Sequence, residues 1–209
     1  MTVSSLDDSD PPWRIVFEEA WESFRSGSFG IGAVLVDPVD GSVVTTGRNR
    51  VADRHGLPRT LSGNMTAHAE MNAFASLDRL NAAGLHLYSS LEPCLMCSAT
   101  ALQLRVTHVH FAAADEFFSG VDAIWSSHTL TAERQPVSNG PLHGGLARFA
   151  RLLPMVFTLR NFPGRSAEQL ARRVHPDLAA RVDAIADDDV FQQIVATGTV
   201  DRAIDHLQL

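Results

Sequence analysis

Lysine is absent from this chain: all 17 basic residues are arginine. That excludes Schiff-base chemistry on a side-chain amine and a P-loop lysine on a phosphate. We read the arginine preference as a bias of coding composition. Cysteine is nearly absent too. Cys94 and Cys97 are the only two, and a pair three positions apart builds no disulfide framework. In a reducing compartment such a pair more often binds a metal or does redox work. No apolar run approaches the ~18 residues that cross a bilayer. Met1 to Asp8 lacks the basic and then apolar parts of a signal peptide. The expectation is a cytoplasmic protein with no membrane partner. Positive charge is also short, with a formal net charge of −7. Polyanion binding needs clustered positive charge, so composition disfavours a nucleic-acid partner and leaves only a local basic face open.

What is present fits one domain. The chain has 209 residues, 45% of them hydrophobic and 20% charged, enough to bury a core with ordinary globular composition. Asp10 before Pro11 and Pro12 predicts a capped helix start. Ile15, Val16, Ala20, Trp21 and Phe24 carry helical spacing to about Arg25, and Gly27 ends it. Residues 31–36 and 42–46 flank the turn Asp37–Gly41 and predict a hairpin. Residues 48–66 read as a long polar loop with Arg48, Arg50, Asp53, Arg54, His55 and Arg59, a length that usually signals function or mobility. Further helices are predicted at 67–80, with Thr66 as cap, at 94–104 after Pro93, and at 146–153. Further strands are predicted at 85–89, 107–112 and 155–159. Residues 115–141 are loop-rich. Phe162-Pro163-Gly164 reads as a boundary, with helix starts after it at Ser166, Pro176, Asp187 and Thr199. Alternating strands and helices predict an α/β layer fold. Residues 1–160 form its domain, and 161–209 a helical extension packed on the same domain.

His68-Ala69-Glu70 and Pro93-Cys94-Leu95-Met96-Cys97 carry the chemistry. Zinc takes nitrogen and sulfur donors in a tetrahedron, and a catalytic site leaves one position to water. Cys94 and Cys97 are about one helical turn apart, so both sulfurs can face one point. Pro93 sets Cys94 near a helix N-terminus, which favours the thiolate. His68 and Glu70 are two apart and share a site only if His68 stands at the very start of its helix. His68, Cys94 and Cys97 are then ligands, and Glu70 is a carboxylate beside the ion, free to move protons. Zinc in such a site activates water at neutral pH. A lone Cys-x-x-Cys also suits a redox pair or two core thiols, a lone His-x-Glu says less, and nine histidines leave a structural zinc open. The combination is the specific signal.

These two motifs resemble those of the cytidine deaminase-like superfamily of zinc deaminases, whose signature is His-x-Glu followed by Pro-Cys-x-x-Cys. Residues 31–36 look like the family's first strand. Gly47-Arg48-Asn49-Arg50 looks like the segment that supplies a substrate-binding asparagine. Thr66 to Met71 and Ser90 to Cys97 match closely, and the likeness spans residues 12–113. The resemblance implies a three-layer α/β/α fold with a mixed five-stranded sheet, to which this chain adds the helical C-terminal extension. It implies Zn2+ on His68, Cys94 and Cys97, and Glu70 as the proton shuttle. It places Asn49 on the substrate ring or sugar, the Ala69 amide on the base, and Phe29 and Ile31 in the pocket wall. A homodimer is implied as well. Met96 before the second cysteine resembles the branch that holds guanine, yeast-type cytosine and tRNA adenosine deaminases. Trp125, with Phe117 and Phe118, follows the last matched strand, where an aromatic could stack on a flat base. Residues beyond Phe162 have no counterpart in the resemblance.

Three functions compete. Hydrolytic deamination of a free nucleobase or nucleoside, guanine-like or cytosine-like, fits the acidic charge and a small-molecule substrate. A tRNA adenosine deaminase shares the site residues and needs Arg148, Arg151, Arg160, Arg165, Arg172 and Arg173 as a local basic face. A binding module merely stapled by zinc leaves Glu70 idle.

Overall fold

Helix α1 runs from Pro11 to Arg25 and buries Trp13, Val16, Phe17, Ala20, Trp21 and Phe24 along one face. The computed structural model describes residues 6, 9–54, 56, 58, 60–118 and 120–209. His55 and Arg59 of the long loop lie outside them, as does most of the polar N-terminus. The α1 start differs from expectation in one respect. Asp10 caps through its backbone carbonyl, which accepts from Trp13 N–H at 3.0 Å, and its carboxylate makes no cap bond.

Five strands form one mixed sheet: β1 Gly32–Val36, β2 Val43–Arg48, β3 His86–Leu91, β4 His108–Ala113 and β5 Val137–Asn139. Their order is β2-β1-β3-β4-β5. β1 pairs antiparallel with β2 and β3, whereas β3–β4 and β4–β5 are parallel. β1 is buried at all five positions, as a central strand covered on both faces requires. Helix α2, Ala69–Ala75, and helix α3, Leu95–Gln103, precede and follow β3. Two glycines let helices lie close on the sheet. A Cβ on Gly32 would stand 2.2 Å from Val16 O, and one on Gly47 2.3 Å from Ala69 O.

The region after β4 departs from expectation. The loop-rich stretch holds helices α4 Val121–Ser126 and α5 Thr129–Ala132 together with the edge strand β5. The strand expected at 155–159 does not form. One helix, α6, runs unbroken from Gly145 to Asn161 with Pro154 inside it. Leu146, Phe149, Leu152, Leu153, Val156 and Leu159 are buried at helical spacing, so burial outweighs both the proline and the β-branched composition.

Four helices end the chain: α7 Ser166–Val174, α8 Pro176–Ile185, α9 Asp189–Thr197 and α10 Val200–Leu207. Asp188 caps α9 and Thr199 caps α10 through their side chains. Leu178, Val182, Phe191, Ile194 and Leu207 join the same apolar cluster as α1. Trp21 Nε1–H donates to Gly198 O at 3.2 Å, and its ring meets Phe191 at 6.3 Å.

Candidate functional site

Two helix starts build the site. His68 is the N-cap residue of α2, in extended conformation at φ −72° and ψ 159°. Cys94 is the N-cap of α3, at φ −65° and ψ 175°. Each stands where extended chain turns into helix. Thr66, expected as the α2 cap, instead gives its hydroxyl to Asn64 Oδ1. α2 ends at Ala75, short of the expected Leu80. Because His68 is outside the helix and Glu70 inside it, two residues two apart can meet at one point.

The donors converge. His68 Nδ1, Cys94 Sγ and Cys97 Sγ are mutually 3.6 Å apart. A tetrahedral ion with ordinary Zn–S and Zn–N bond lengths sets sulfur from sulfur at about 3.8 Å and sulfur from nitrogen at about 3.6 Å. These three are the group among the described residues spaced to hold a metal, and their donor atoms fit zinc. Glu70 is buried beside them. Its Oε2 lies 3.4 Å from Cys97 Sγ and its Oε1 3.3 Å from Ser89 Oγ.

The charge state suits a cation. A hydrogen bond from Cys97 pulls the Cys94 thiol down to about 4 against its burial, and His68 helps. The same bond and burial push Cys97 well above the usual thiol range. Burial pulls His68 down, but the bond to Cys94 and the charge of Glu70 outweigh it and raise it. Burial raises Glu70 above the usual carboxylate range, with His68 opposing. Two sulfurs thus share a proton that a bound divalent cation would displace.

The donors open into a cavity of about 490 Å³. Phe29, Ile31, Asn49, His68, Glu70 and Cys94 all line it, as do Phe117 and Phe118. Asn49 is almost fully buried. Its Oδ1 accepts from Ser28 Oγ at 2.6 Å and from Val51 N–H at 3.1 Å. With the oxygen held by two donors, the side chain has its NH₂ left to offer. Phe29 lies against Phe157 at 4.0 Å between centroids. Ala69 is buried between His68 and Glu70 and is not part of the wall. Trp125 sits on α4 outside the cavity lining, and its Nε1–H is buried without an acceptor among the described residues. His128 and His143 are exposed and stand apart from it.

Sequence reading missed several wall residues: Glu92, Asp115, Glu116, Arg151 and His175. Glu92 follows β3 directly, and Asp115 and Glu116 follow β4 by two and three residues. The carboxyl ends of parallel strands are where α/β sheets place ligands, so the signal was available. Glu92 Oε2 accepts from Asp115 N–H at 3.0 Å. Burial pushes Asp115 up to about 6. Glu116 accepts from Arg151 at 2.8 Å and meets His175 Nε2 at 2.6 Å. Burial pushes Glu116 up, but His175 and Arg151 outweigh it and hold it below the usual range.

Comparison with known proteins agrees with this arrangement. Residues 12–113 match the cytidine and deoxycytidylate deaminase zinc-binding region. A tRNA-specific adenosine deaminase of Aquifex aeolicus is 32% identical over 117 residues, which are 54% of this chain and 71% of that protein. The tRNA-specific adenosine deaminase of Streptococcus pyogenes serotype M1 is 30% identical over 140 residues, 62% of this chain and 71% of that one. A guanine deaminase from Nitrosomonas europaea superposes with a TM-score of 0.51 at 19% identity, covering 71% of this chain and 85% of its own. That last likeness speaks to the fold.

Proposed function

Because the chain belongs to the cytidine deaminase-like superfamily of zinc-dependent hydrolytic deaminases, we propose that it replaces the amino group of a nucleobase ring with oxygen and releases ammonia. Zinc, when bound by His68, Cys94 and Cys97, supplies a Lewis acid that activates water. Glu70 would take one proton from the attacking water and pass it to the ring nitrogen beside the reacting carbon, then take the second from the hydroxyl now on that carbon and give it to the departing amine, as the C–N bond breaks and the hydroxyl becomes a carbonyl. This division of roles is the established one for zinc deaminases. Asn49 N–H donates to an acceptor on the ring or sugar. Phe29 and Ile31 bound the ring's position.

A free base or nucleoside is the substrate form the cavity supports best. The observation that carries it is the wall added by the C-terminal extension: Leu170, Ala171, Val174 and His175 line the same cavity as the metal donors. Three of the six arginines of the expected basic face are also neutralised. Arg148 pairs with Asp177, Arg151 with Glu116, and Arg172 with Glu168 and Asp183. Among the described residues no helix is long and apolar enough to cross a membrane. In this reading residues 1–160 are the deaminase domain and 161–209 an extension packed on it, supported by their shared apolar cluster. A homodimer in the cytoplasm belongs to the same reading, and the mass of the zinc-loaded protein in solution tests the dimer.

Adenosine in tRNA is the second reading, favoured by the names of the relatives from Aquifex aeolicus and Streptococcus pyogenes. Ammonia release from adenine, guanine, cytosine and their nucleosides, run beside inosine formation in tRNA, separates the two. Turnover confined to tRNA, and lost with rising salt, would replace the first reading by the second.

A further inference from the structure

α7 turns its apolar face toward a cavity, and of that face Ala171 also packs against the core. Ala167, Leu170, Ala171 and Val174 stand at i, i+3, i+4 and i+7, and all four line the cavity that holds the metal donors. None of the residues of α7 is buried. An amphipathic stripe of this kind is ordinarily packed away. Large apolar side chains left exposed gather at the same place: Met65 at 62%, Phe117 at 47%, Leu95 at 43%, Val174 at 42% and Phe118 at 39%. Exposed apolar groups concentrated in one concavity mark a ligand surface.

The charged wall residues are already engaged. Glu116 holds Arg151 and His175, Glu92 accepts from the Asp115 amide, and Asp115 Oδ1 accepts from the Phe117 amide. Asn49 and Glu70 are then the wall's polar groups nearest the donor cluster for a ring to meet. A phosphate in this cavity would be desolvated beside Glu92, Asp115 and Glu116, and the arginine of the wall is committed to Glu116. Ribose hydroxyls against Leu170 and Val174 would lose water without gaining partners. A cavity of about 490 Å³ falls in the range that encloses a drug-sized ligand, more than a bare base fills.

We propose that the chamber takes an uncharged amino-heterocycle carrying an apolar substituent, aryl or branched alkyl, which packs against Leu170 and Val174 while the ring meets Asn49 and Glu70. This rests on the deaminase reading and narrows its substrate class.

The test compares four forms of each ring on the zinc-loaded 209-residue chain: bare base, N-benzyl derivative, ribonucleoside and 5′-monophosphate. The benzyl form is expected to exceed the ribonucleoside in kcat/KM by at least about tenfold and the monophosphate to be slowest, as filling an apolar pocket predicts. Leu170→Asn should cut the benzyl advantage by about the same factor. Calorimetric binding of the same four compounds to Glu70→Gln protein should give the same order. A ribonucleoside handled as well as the benzyl form, in turnover or in binding, overturns the inference. Ammonia release from any member of the panel would still leave the deaminase reading standing. Failure of that reading looks different: benzyl-favoured binding with no ammonia or inosine formed from any substrate, tRNA included.

Discussion

His68 and Cys94 hold the same place in two different helices. Each is the N-cap residue, of α2 and α3 respectively, and His68 Nδ1 stands 3.6 Å from Cys94 Sγ. Two helix starts therefore meet at the donor cluster, and their unpaired amides and dipoles favour negative charge. A thiolate at Cys94 gains from that field, and a cation then neutralises what the helix starts have stabilised.

Removing one donor should remove the ion. Cys97→Ala or His68→Ala should lower bound zinc from about one ion per chain to a small fraction of that, because two donors do not hold zinc against dilution. Chelation of the native protein should lower its Tm, since an ion that binds only the folded state stabilises it by mass action. Elemental analysis and a melting curve check both, and retained stoichiometric zinc in either variant refutes the ligand assignment.

Glu70→Gln keeps the shape of the side chain and removes its base. Glu70 is buried and touches Ser89 Oγ and Cys97 Sγ, and an amide can occupy the same space. Folding and zinc content should hold, while kcat falls by about 10²–10⁴, the usual worth of a positioned general acid–base. Activity within a few-fold of native would take Glu70 out of the mechanism.

The metal donors were legible because short motifs at helix starts encode them locally. The fold through β4 was legible because strand and helix periodicities alternate without conflict. The strand expected at 155–159 failed because Met155, Val156 and Leu159 look like a strand in isolation, and only their packing with Phe149 and Leu152 makes them helical. Trp125 stands outside the cavity lining, and an aromatic after the last matched strand says nothing about direction. Leu170 and Val174 could not be seen as cavity residues at all. Their spacing predicts a helix face, but what that face meets depends on contacts distant in sequence.

A histidine cluster on the sheet makes stability pH-dependent. His110 Nε2 lies 3.4 Å from His86 Nδ1, and the His86 and His108 rings are 4.2 Å apart. Burial, then His86 and His108, pull His110 down to about 4, with Asp10 weakly opposing. Burial and then His108 lower His86 too. The unfolded value is about 6.5, so as pH falls below it the unfolded chain takes up the proton first. Stability is full above about pH 6.5 and is lost as pH falls toward 4. For a half-exposed group the loss is about 1 kcal/mol after solvent screening. Urea midpoints at several pH values should show a steeper fall for the native protein than for His110→Gln. Parallel curves would mean that the cluster does not titrate in this way.

Gly47 ties the sheet to the metal centre. It lies on β2, where a Cβ would stand 2.3 Å from Ala69 O and 2.4 Å from Ala73 N. Ala69 is the first residue of α2 and sits between His68 and Glu70. A methyl group at Gly47 must therefore push α2 off the sheet at the turn that presents a ligand and the proton shuttle. Overpacking against backbone costs about 3 kcal/mol, which for a chain of this size lowers Tm by roughly 6–12 °C. Displacement of α2 also moves His68 relative to α3, so Gly47→Ala should weaken zinc binding beyond its effect on folding. Gly32→Ala is the control, because its Cβ would meet Val16 O and Ala20 N of α1, away from the donors. It should destabilise comparably and leave the zinc affinity of the folded protein unchanged. Equal zinc affinity in the two variants would show that α2 yields without moving His68.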